Sequence, residues 1–348
     1  MGEDHGVVND HLNVGEFLEA AAAKVDPAVW CYFEGGADDE VTLRENLAAL
    51  RRWQLRPRML VDVGEVRLET TLLGTPVSLP LGIAPFALQR LLDPEAERAT
   101  VRAAAAAGAL VTVPTLTSFR HAELLAAADG PRWLQLYVQR DRALTLDHLA
   151  EAREAGYAAV ALTADLPLVG RRERDLRLGF AVPPEVPVHY GTLVDVDPTL
   201  TWRDLEWVRE ATELPLVVKG ILTREDALLA VEHGVDAVWV SNHGGRQLDS
   251  VAASIDALPE VVEAVADRCE VYVDSGFRRG GDVVKALALG ARAAFVARPI
   301  AAGLAVGGEA GVARVLELLR DEIELALGLV GCTRPDEVTR AHVQRAAA

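Results

Sequence analysis

Cysteine is scarce in this chain, and basic residues are outnumbered by acidic ones. Only three cysteines occur among 348 residues, at positions 31, 269 and 332, with no Cys-x-x-Cys pair. This argues against disulfides and against a zinc site, and it predicts a protein of the reducing cytoplasm. The formal net charge of −17 argues against a nucleic-acid partner.

Signals for export, membrane insertion and nucleotide binding are also missing. The N-terminal MGEDHGVVND lacks the charged-then-apolar pattern of a signal peptide. No apolar run reaches ~18 residues without charges, so no membrane span is expected. The chain has no Gly-x-x-x-x-Gly-Lys-Ser/Thr motif and no strand-led Gly-x-Gly-x-x-Gly, which argues against a nucleoside triphosphate or a Rossmann-bound dinucleotide.

What the chain does have is a regular alternation of short apolar runs and helical segments from Leu81 onward. Strands are predicted at Leu81–Pro85, Leu110–Val113, Trp133–Val138, Ala158–Thr163, Leu216–Lys219, Ala237–Ser241, Val271–Asp274 and Ala293–Ala297. Helices are predicted at Glu95–Ala107, His121–Ala128, Leu146–Ala155, Arg224–His233, Leu258–Asp267 and Gly280–Leu289. Parallel strands with crossover helices most simply close into a (β/α)₈ barrel, and a doubly wound open sheet is the alternative.

Before the barrel, residues ~14–50 are predicted to be helical, with Asp26-Pro27 as the cap and first turn of one helix, and Gly74 and Pro76 mark turns within residues 51–80. We therefore expect an α/β protein with a single domain. It comprises an N-terminal helical segment, residues 1–80, and a barrel, residues 81–348.

The segment SNHGGRQLD, Ser241–Asp249, combines several reactive side chains directly after a buried strand. His243 can accept a proton near neutral pH, and Arg246 can hold a carboxylate through two parallel hydrogen bonds. Gly244 and Gly245 permit a sharp turn or a close approach to a ligand. These residue types predict an enzyme that acts on a small acid.

Other predicted strands also end in polar residues. Barrel enzymes place their catalytic groups at the carboxyl ends of the strands, so these side chains should meet at one rim. The loops after the seventh and eighth strands carry Arg278 and Arg298, together with Gly276, Gly280 and Gly281, which predicts a phosphate site.

Five segments of the chain resemble the FMN-dependent 2-hydroxy acid oxidase/dehydrogenase family, which includes glycolate oxidase, lactate oxidase, mandelate dehydrogenase and 4-hydroxymandelate oxidase. They are WCYFEGGADDEVTLREN, TADLPLVGRRERD, LVVKG, SNHGGRQLD and DSGFRRGGDVVKALALGA. They occur in the family's order, and the similarity extends from about Leu12 to Val343. The resemblance implies an FMN-binding barrel, a 2-hydroxy acid substrate, O₂ or another electron acceptor, and a homotetramer.

The resemblance also implies roles for the residues that handle the substrate. His243 matches the base that removes a proton from the substrate. Arg172 and Arg246 match the arginines that bind the substrate carboxylate, and Tyr32 and Tyr137 match the tyrosines whose hydroxyls contact the substrate.

Further matches concern the base and the cofactor. Asp165 matches the carboxylate that orients the histidine. Lys219 matches the lysine beside flavin N1, where a cation stabilises the anionic form of the flavin. The remaining expected cofactor contacts are Ala84, Pro85, Phe86, Gln135, Thr163, Ser241, Asp274, Gly276, Arg278, Ala297 and Arg298.

Several positions depart from the family pattern. Phe86 and Leu116 place apolar bulk near the expected substrate side chain, Pro114 replaces a serine, and Ser275 and Ala297 replace glycines. We therefore expect a substrate with an aryl or branched apolar side chain and O₂ as the acceptor, which would be converted to H₂O₂. Ala181–Thr201 is short and not apolar, unlike the membrane-anchoring insertion of mandelate dehydrogenase, so a soluble enzyme is expected.

Two other functions remain open at this stage. One is altered flavin chemistry on a biosynthetic substrate derived from a peptide or an amine. The other is a non-redox phosphate-binding isomerase or aldolase, in which Lys219 would form a Schiff base. His121, His148 and His233 are predicted on surface helices away from the site, and no metal is expected.

Overall fold

The computed structural model of the chain describes residue 8, residues 10–183, residue 186 and residues 195–346. Residues 184–185 and 187–194 of the Ala181–Thr201 segment therefore lie outside the described residues. The expectation that this segment does not enter a membrane stays a prediction.

Eight parallel strands close into a barrel, which confirms the predicted fold and excludes the open sheet. In chain order the barrel strands are Leu81–Ile83, Leu110–Val113, Arg132–Leu136, Ala159–Thr163, Leu216–Ile221, Ala237–Val240, Glu270–Val273 and Ala293–Val296. Each strand pairs with the next one along the chain, and the eighth pairs with the first. All the carboxyl ends of these strands therefore meet at one rim.

Helices surround the barrel. They are Ala96–Ala107, His121–Ala127, Arg142–Glu154, Glu173–Leu178, Asp204–Ala211, Arg224–Glu232, Ser254–Val265, Gly280–Ala288 and Arg298–Val330. The last helix is interrupted at Gly307 and Gly308, whose backbone torsions are not helical. By length and composition it could cross a membrane, but 67% of its most apolar window is buried inside the protein, as in a core helix.

The N-terminal segment is helical only as far as Arg52. Its helices are Val14–Lys24, Pro27–Glu34 and Val41–Arg52, and Asp26 caps the second by accepting from the N–H groups of Ala28 and Val29. Short strands follow: Trp53–Leu55 pairs with Val343–Arg345, and Thr70–Leu72 pairs with Thr75–Val77. The helices predicted over residues ~14–50 are therefore confirmed, and the turn predicted at Gly74 joins the two strands of a hairpin.

The amino-terminal end of the barrel interior is filled by packed side chains. Four aromatic residues, Trp133, Trp239, Tyr272 and Phe295, are almost completely buried and contact one another. Gly82 leaves room for them, because a Cβ at that position would lie 2.3 Å from the Phe295 ring. The hairpin residues Leu72 and Val77 pack against the same cluster. This end of the barrel is therefore a core.

Candidate active site

A cavity of about 770 Å³ opens at the carboxyl ends of the barrel strands. That volume lies in the range typical of sites for small molecules and cofactors. The predicted site residues that line it are Tyr32, Ala84, Pro85, Phe86, Gln135, Tyr137, Thr163, Arg172, Lys219, His243, Arg246, Asp274, Gly276, Arg278, Ala297 and Arg298. The other two predicted residues, Asp165 and Ser241, lie behind this lining and contact residues that form it.

His243 and Asp165 form a hydrogen-bonded pair at the rim. The Nδ1 atom of His243 lies 2.9 Å from Oδ1 of Asp165. A carboxylate only accepts hydrogen bonds, so Nδ1 of the neutral ring carries the proton and Nε2 is left to accept one. Burial lowers the pKa of His243, although Asp165 opposes that shift. Burial would raise the pKa of Asp165, but His243 and Lys219 together hold it below its usual value.

The backbone at this pair is unusual and explains the glycines in the sequence. His243 has a φ of 56°, in the left-handed region, and begins a 3₁₀ turn in which Gly244 and Gly245 also have positive φ values. Gly220 is the next-to-last residue of the fifth barrel strand, and a Cβ there would lie 2.6 Å from the Asp165 Cβ atom. Glycine is required there, because any side chain would push Asp165 away from His243.

Arg172 and Arg246 bring two guanidinium groups to the same side of the cavity. Both lie against the ring of Tyr32, with distances from the guanidinium carbon to the ring centre of 5.9 Å for Arg172 and 4.8 Å for Arg246. Arg246 also donates to the backbone carbonyls of Tyr32 and Gly35. Burial and the neighbouring charge of Arg172 lower the pKa of Arg246 to about 10. Two cations that repel each other beside a proton acceptor suit an anionic ligand.

Tyr137 follows the third barrel strand and also faces this cavity. Burial raises the pKa of its hydroxyl, so the group is neutral and can donate a hydrogen bond to a ligand.

Lys219, Ser241 and Asp274 form a buried network next to His243. The Nζ atom of Lys219 donates to the Ser241 hydroxyl at 2.8 Å and lies 3.3 Å from Oδ2 of Asp274. The Ser241 hydroxyl donates to Oδ1 of Asp274 at 2.6 Å and accepts from the backbone N–H of His243 at 3.0 Å. The structure thus places Ser241 as a link between Lys219 and His243, whereas the resemblance implied a direct cofactor contact.

Gln135 and Thr163 lie on adjacent strands, and Gln135 donates to the Thr163 hydroxyl at 3.1 Å. The carboxamide oxygen of Gln135 accepts from the backbone N–H of Thr115 at 3.0 Å. Thr115 was not among the predicted site residues. The hydrogen bond from Thr115 fixes the orientation of the Gln135 amide. Thr115 directly follows Pro114, one of the positions that depart from the family pattern.

Arg278 and Arg298 bring two further guanidinium groups to the cavity, and Arg298 shares the Gly35 carbonyl with Arg246. Arg298 donates to the backbone carbonyls of Phe33, Gly244 and Gly35 at 2.9–3.0 Å. Arg278 donates to the carbonyl of Phe277 at 2.9 Å. Burial lowers the pKa of Arg278 to about 10 and that of Arg298 well below its usual value, and the neighbouring arginines Arg246 and Arg278 add to the second shift.

This arrangement fits FMN, the cofactor that the resemblance implies. Partly buried guanidiniums with depressed pKa values need an anion, and a phosphate group supplies one. Arg278, Arg298 and the backbone near Gly276 would hold the phosphate, Asp274 the ribityl chain, and Gln135, Thr163 and Lys219 the ring. The N–H groups of residues 278, 279 and 280 donate to Asp282 and Glu322, so the start of the helix Gly280–Ala288 already has acceptors.

Residues from the loop after the fourth barrel strand complete the cavity wall, and sequence inspection missed them. Phe180 stacks on Tyr32, with ring centres 4.8 Å apart and an interplanar angle of 22°. Leu176 and Val182 also line the cavity, as do the departures Phe86 and Leu116. No sequence signal marked Phe180, because its only relation to Tyr32 is through the fold.

Two of the histidines predicted on the surface are buried instead. His121 is 0% exposed and His148 is 1% exposed, and their rings stack at 4.8 Å. Nδ1 of His121 lies 2.8 Å from the Tyr157 hydroxyl. The prediction was wrong because the helices that carry them present these residues to the barrel. Neither lines the cavity within the described part of the chain, and over the same residues no group of His, Cys, Asp and Glu could hold a metal.

Comparisons with known proteins find similar proteins over most of the chain. A family model described as FMN-dependent dehydrogenase matches residues 21–345. Glycolate oxidase 1 from Zea mays is 44% identical over 350 residues, which cover 95% of each chain. L-lactate oxidase from Nostoc sp. is 43% identical over 355 residues, which cover 95% of this chain and 97% of the relative. The solved structure of a mandelate oxidase variant with (S)-mandelic acid aligns with a TM-score of 0.93 at 41% identity, covering 97% of this chain and 100% of that chain.

Proposed function

Because the chain belongs to the FMN-dependent dehydrogenase family, we propose that it oxidises (S)-2-hydroxy acids with an aryl or branched apolar side chain. The family membership makes the protein an FMN enzyme and an oxidoreductase that acts on a CH–OH group. The proposed reaction converts R–CH(OH)–COO⁻ and O₂ into R–CO–COO⁻ and H₂O₂. Two electrons and two protons thus leave the substrate and reach oxygen.

The observation that carries this proposal is the placement of Arg172 and Arg246 beside the His243–Asp165 pair. A substrate carboxylate between the two guanidiniums would relieve their mutual repulsion. The same carboxylate would hold the substrate's C2 centre near Nε2 of His243. An anchor and a base that share one small space are what oxidation of a 2-hydroxy acid requires.

FMN, when bound, supplies the two-electron acceptor. His243 accepts the proton at Nε2 while Asp165 stabilises the imidazolium through Nδ1. Tyr137 can donate a hydrogen bond to the substrate, and the buried ammonium of Lys219 offsets the negative charge that develops beside it.

The apolar wall supports the side-chain part of the proposal. Phe86, Leu116, Phe180 and Val182 line the same cavity as the arginines. Such a wall can bury an aryl or branched group, whereas glycolate has no side chain to place there. Overall identity does not separate these substrates, since the glycolate and lactate oxidases match at 44% and 43%.

Of the two alternative functions, the aldolase is excluded and the biosynthetic flavin chemistry is retained. A non-redox aldolase is set aside by the family membership, and Lys219 is ion-paired with Asp274, whereas a Schiff-base lysine must be a neutral amine. Altered chemistry on a biosynthetic substrate remains as an outcome of the test below.

The test is a comparison of hydroxy acids without oxygen. Mandelate, 2-hydroxyisocaproate, lactate and glycolate are mixed anaerobically with the holoenzyme, the bleaching of the flavin absorbance is followed, and air is then admitted. We expect mandelate to exceed glycolate at least tenfold in efficiency, since apolar contacts select by ~1–3 kcal/mol per group. Return of the colour in air with release of H₂O₂ would support O₂ as the acceptor.

Phe180→Ala sharpens the test. The variant should lose preference for mandelate but keep its rate with lactate. Leu178→Ala is the control, since Leu178 lies on the same helix as Leu176 but is not among the described residues that line the cavity. Glycolate bleaching the flavin fastest would refute the apolar substrate, and colour that stays lost in air would refute O₂. Bleaching by none of the four acids would favour the biosynthetic alternative.

A further inference from the structure

Ser275 occupies a backbone position that normally requires glycine. It directly follows Asp274 at the end of the seventh barrel strand, and its φ is 80°, in the left-handed region. The residue is only 8% exposed. A non-glycine residue with such a torsion is strained and persists only where its surroundings hold it in place.

The hydroxyl of Ser275 makes two hydrogen bonds that a glycine could not make. It accepts from the backbone N–H of Gly244 at 3.1 Å and donates to Oδ1 of Asp274 at 2.7 Å. Gly244 is the residue after His243, so one hydroxyl joins the turn that carries the base to the end of the neighbouring strand.

These two hydrogen bonds join the His243 turn to the network of Lys219, Ser241 and Asp274. Oδ1 of Asp274 accepts from both Ser275 and Ser241, while Oδ2 lies 3.3 Å from Nζ of Lys219. Ser241 in turn accepts from Lys219 and from the N–H of His243. Two routes therefore connect His243 to Lys219. One passes through Ser241, and the other passes through Gly244, Ser275 and Asp274.

We propose that Ser275 is a positioning residue that holds the His243 turn in register and disperses the charge of the Asp274 carboxylate. The inference rests on the proposed roles of His243 and Lys219. Two hydroxyl groups that donate to Oδ1 partly neutralise the Asp274 carboxylate. The carboxylate therefore offsets less of the positive charge that Lys219 presents to the cavity. Without the Ser275 hydroxyl the carboxylate attracts Lys219 more strongly, and the bound FMN gains electrons less readily.

Two variants separate the hydroxyl from the backbone strain. Ser275→Ala removes the hydroxyl and keeps the strained torsion, whereas Ser275→Gly removes the hydroxyl and relieves the strain. The measurements on the holoenzyme are the midpoint potential of bound FMN by dye equilibration, the rate of anaerobic bleaching by mandelate, and the Tm. Ser250 is the matched control, because it is an exposed serine with a φ of 62°, so Ser250→Gly relieves strain outside the network.

We expect both Ser275 variants to lower the midpoint potential by about 30 mV, which is a tenfold change for a two-electron couple. Bleaching should slow about tenfold in both, although the alanine variant should have the lower Tm. Ser250→Gly should leave the potential and the rate unchanged.

Two results would overturn the proposal. One is a normal potential and rate in Ser275→Ala. The other is impairment that follows the Tm, with the alanine variant impaired and the glycine variant normal, since that pattern would mark a merely structural role. The dye titration uses no hydroxy acid, so the potential still tests Ser275 if the proposed substrate proves wrong.

Discussion

The two ends of the barrel interior are built by the same strands with opposite chemistry. Inward-facing positions alternate along each strand, so residues two apart lie one above the other. The pairs, each given from the closed end to the open end, are Trp133 and Gln135, Ala161 and Thr163, Val217 and Lys219, Trp239 and Ser241, Tyr272 and Asp274, and Phe295 and Ala297. Two residues along each strand thus separate an apolar core from side chains that lie in the cavity wall or directly behind it.

The closed end of the barrel stabilises the fold, and the open end carries the chemical groups of the site. The aromatic end excludes water and fixes the strands, because its side chains fill the interior. The open end gathers buried cations, and burial together with neighbouring arginines lowers the pKa values of Arg246 and Arg298. Such a site is electrostatically unfavourable without its anionic ligands, and the rigid core beneath it holds the groups in place. Substitutions at the two ends should therefore have separable effects.

The largest expected effect is that of His243→Ala at the open end. Loss of a general base typically slows a reaction ~10²–10⁴-fold, so anaerobic bleaching of the flavin by mandelate should slow by that factor. The FMN content and the Tm should stay close to the wild-type values. Bleaching at an unchanged rate would refute the role of His243, and loss of FMN would indicate a structural histidine.

At the closed end, Trp133→Ala should have the opposite profile. Removing a large buried aromatic side chain costs about 3–5 kcal/mol of the free energy of unfolding. The protein that remains folded should bleach at nearly the wild-type rate once saturated with FMN. Trp133→Phe, which leaves a smaller cavity, is the milder variant if the alanine variant does not fold. A rate loss as large as that of His243→Ala would contradict the separation of the two ends.

The arginine pair offers a narrower test of the open end. Arg172→Lys and Arg246→Lys each keep the charge but lose the planar fork that binds a carboxylate through two hydrogen bonds. Hydrogen bonds to charged groups contribute about 1.5–3 kcal/mol, which corresponds to a loss of ~10–100-fold in kcat/KM for mandelate. Arg171→Lys is the matched control, since the Arg171 side chain is 70% exposed. Methyl mandelate oxidised as fast as mandelate would show that no carboxylate clamp exists.

The smallest expected effect is a shift of the pH dependence. Burial holds the pKa of His243 below 6.5, and only the neutral ring can act as the base. The rate of flavin bleaching at low mandelate concentration should therefore rise with pH, with a midpoint below 6.5, and then reach a plateau. Asp165→Asn removes the charge that opposes this shift, so the midpoint should move to still lower pH. A profile measured from about pH 5 to 8 with its midpoint above 6.5 would contradict the assigned base.

Much of the fold could be predicted because the barrel strands are short, apolar and regularly spaced. The predicted strand ends differ from the observed ones by only a few residues, as with Leu216–Ile221, which the bulge at Gly220 extends. The burial of His121 and His148 could not be predicted in this way. Which face of a helix turns toward the barrel depends on its packing, and a polar residue on that face gives no sign of it.

The sequence by itself determined the alternation of strands and helices, the cap at Asp26 and the polar residues at the strand ends, because these depend on neighbours within a few residues. Only the tertiary structure decided which of those side chains meet. Closure of the barrel brings Asp165 to His243, 78 residues away, and folding of the loop after the fourth strand brings Phe180 onto Tyr32. It also turns Ser275, a residue that local rules would replace with glycine, into a bridge between Asp274 and Gly244. Such contacts depend on the three-dimensional path of the backbone, and no local pattern of residues encodes them.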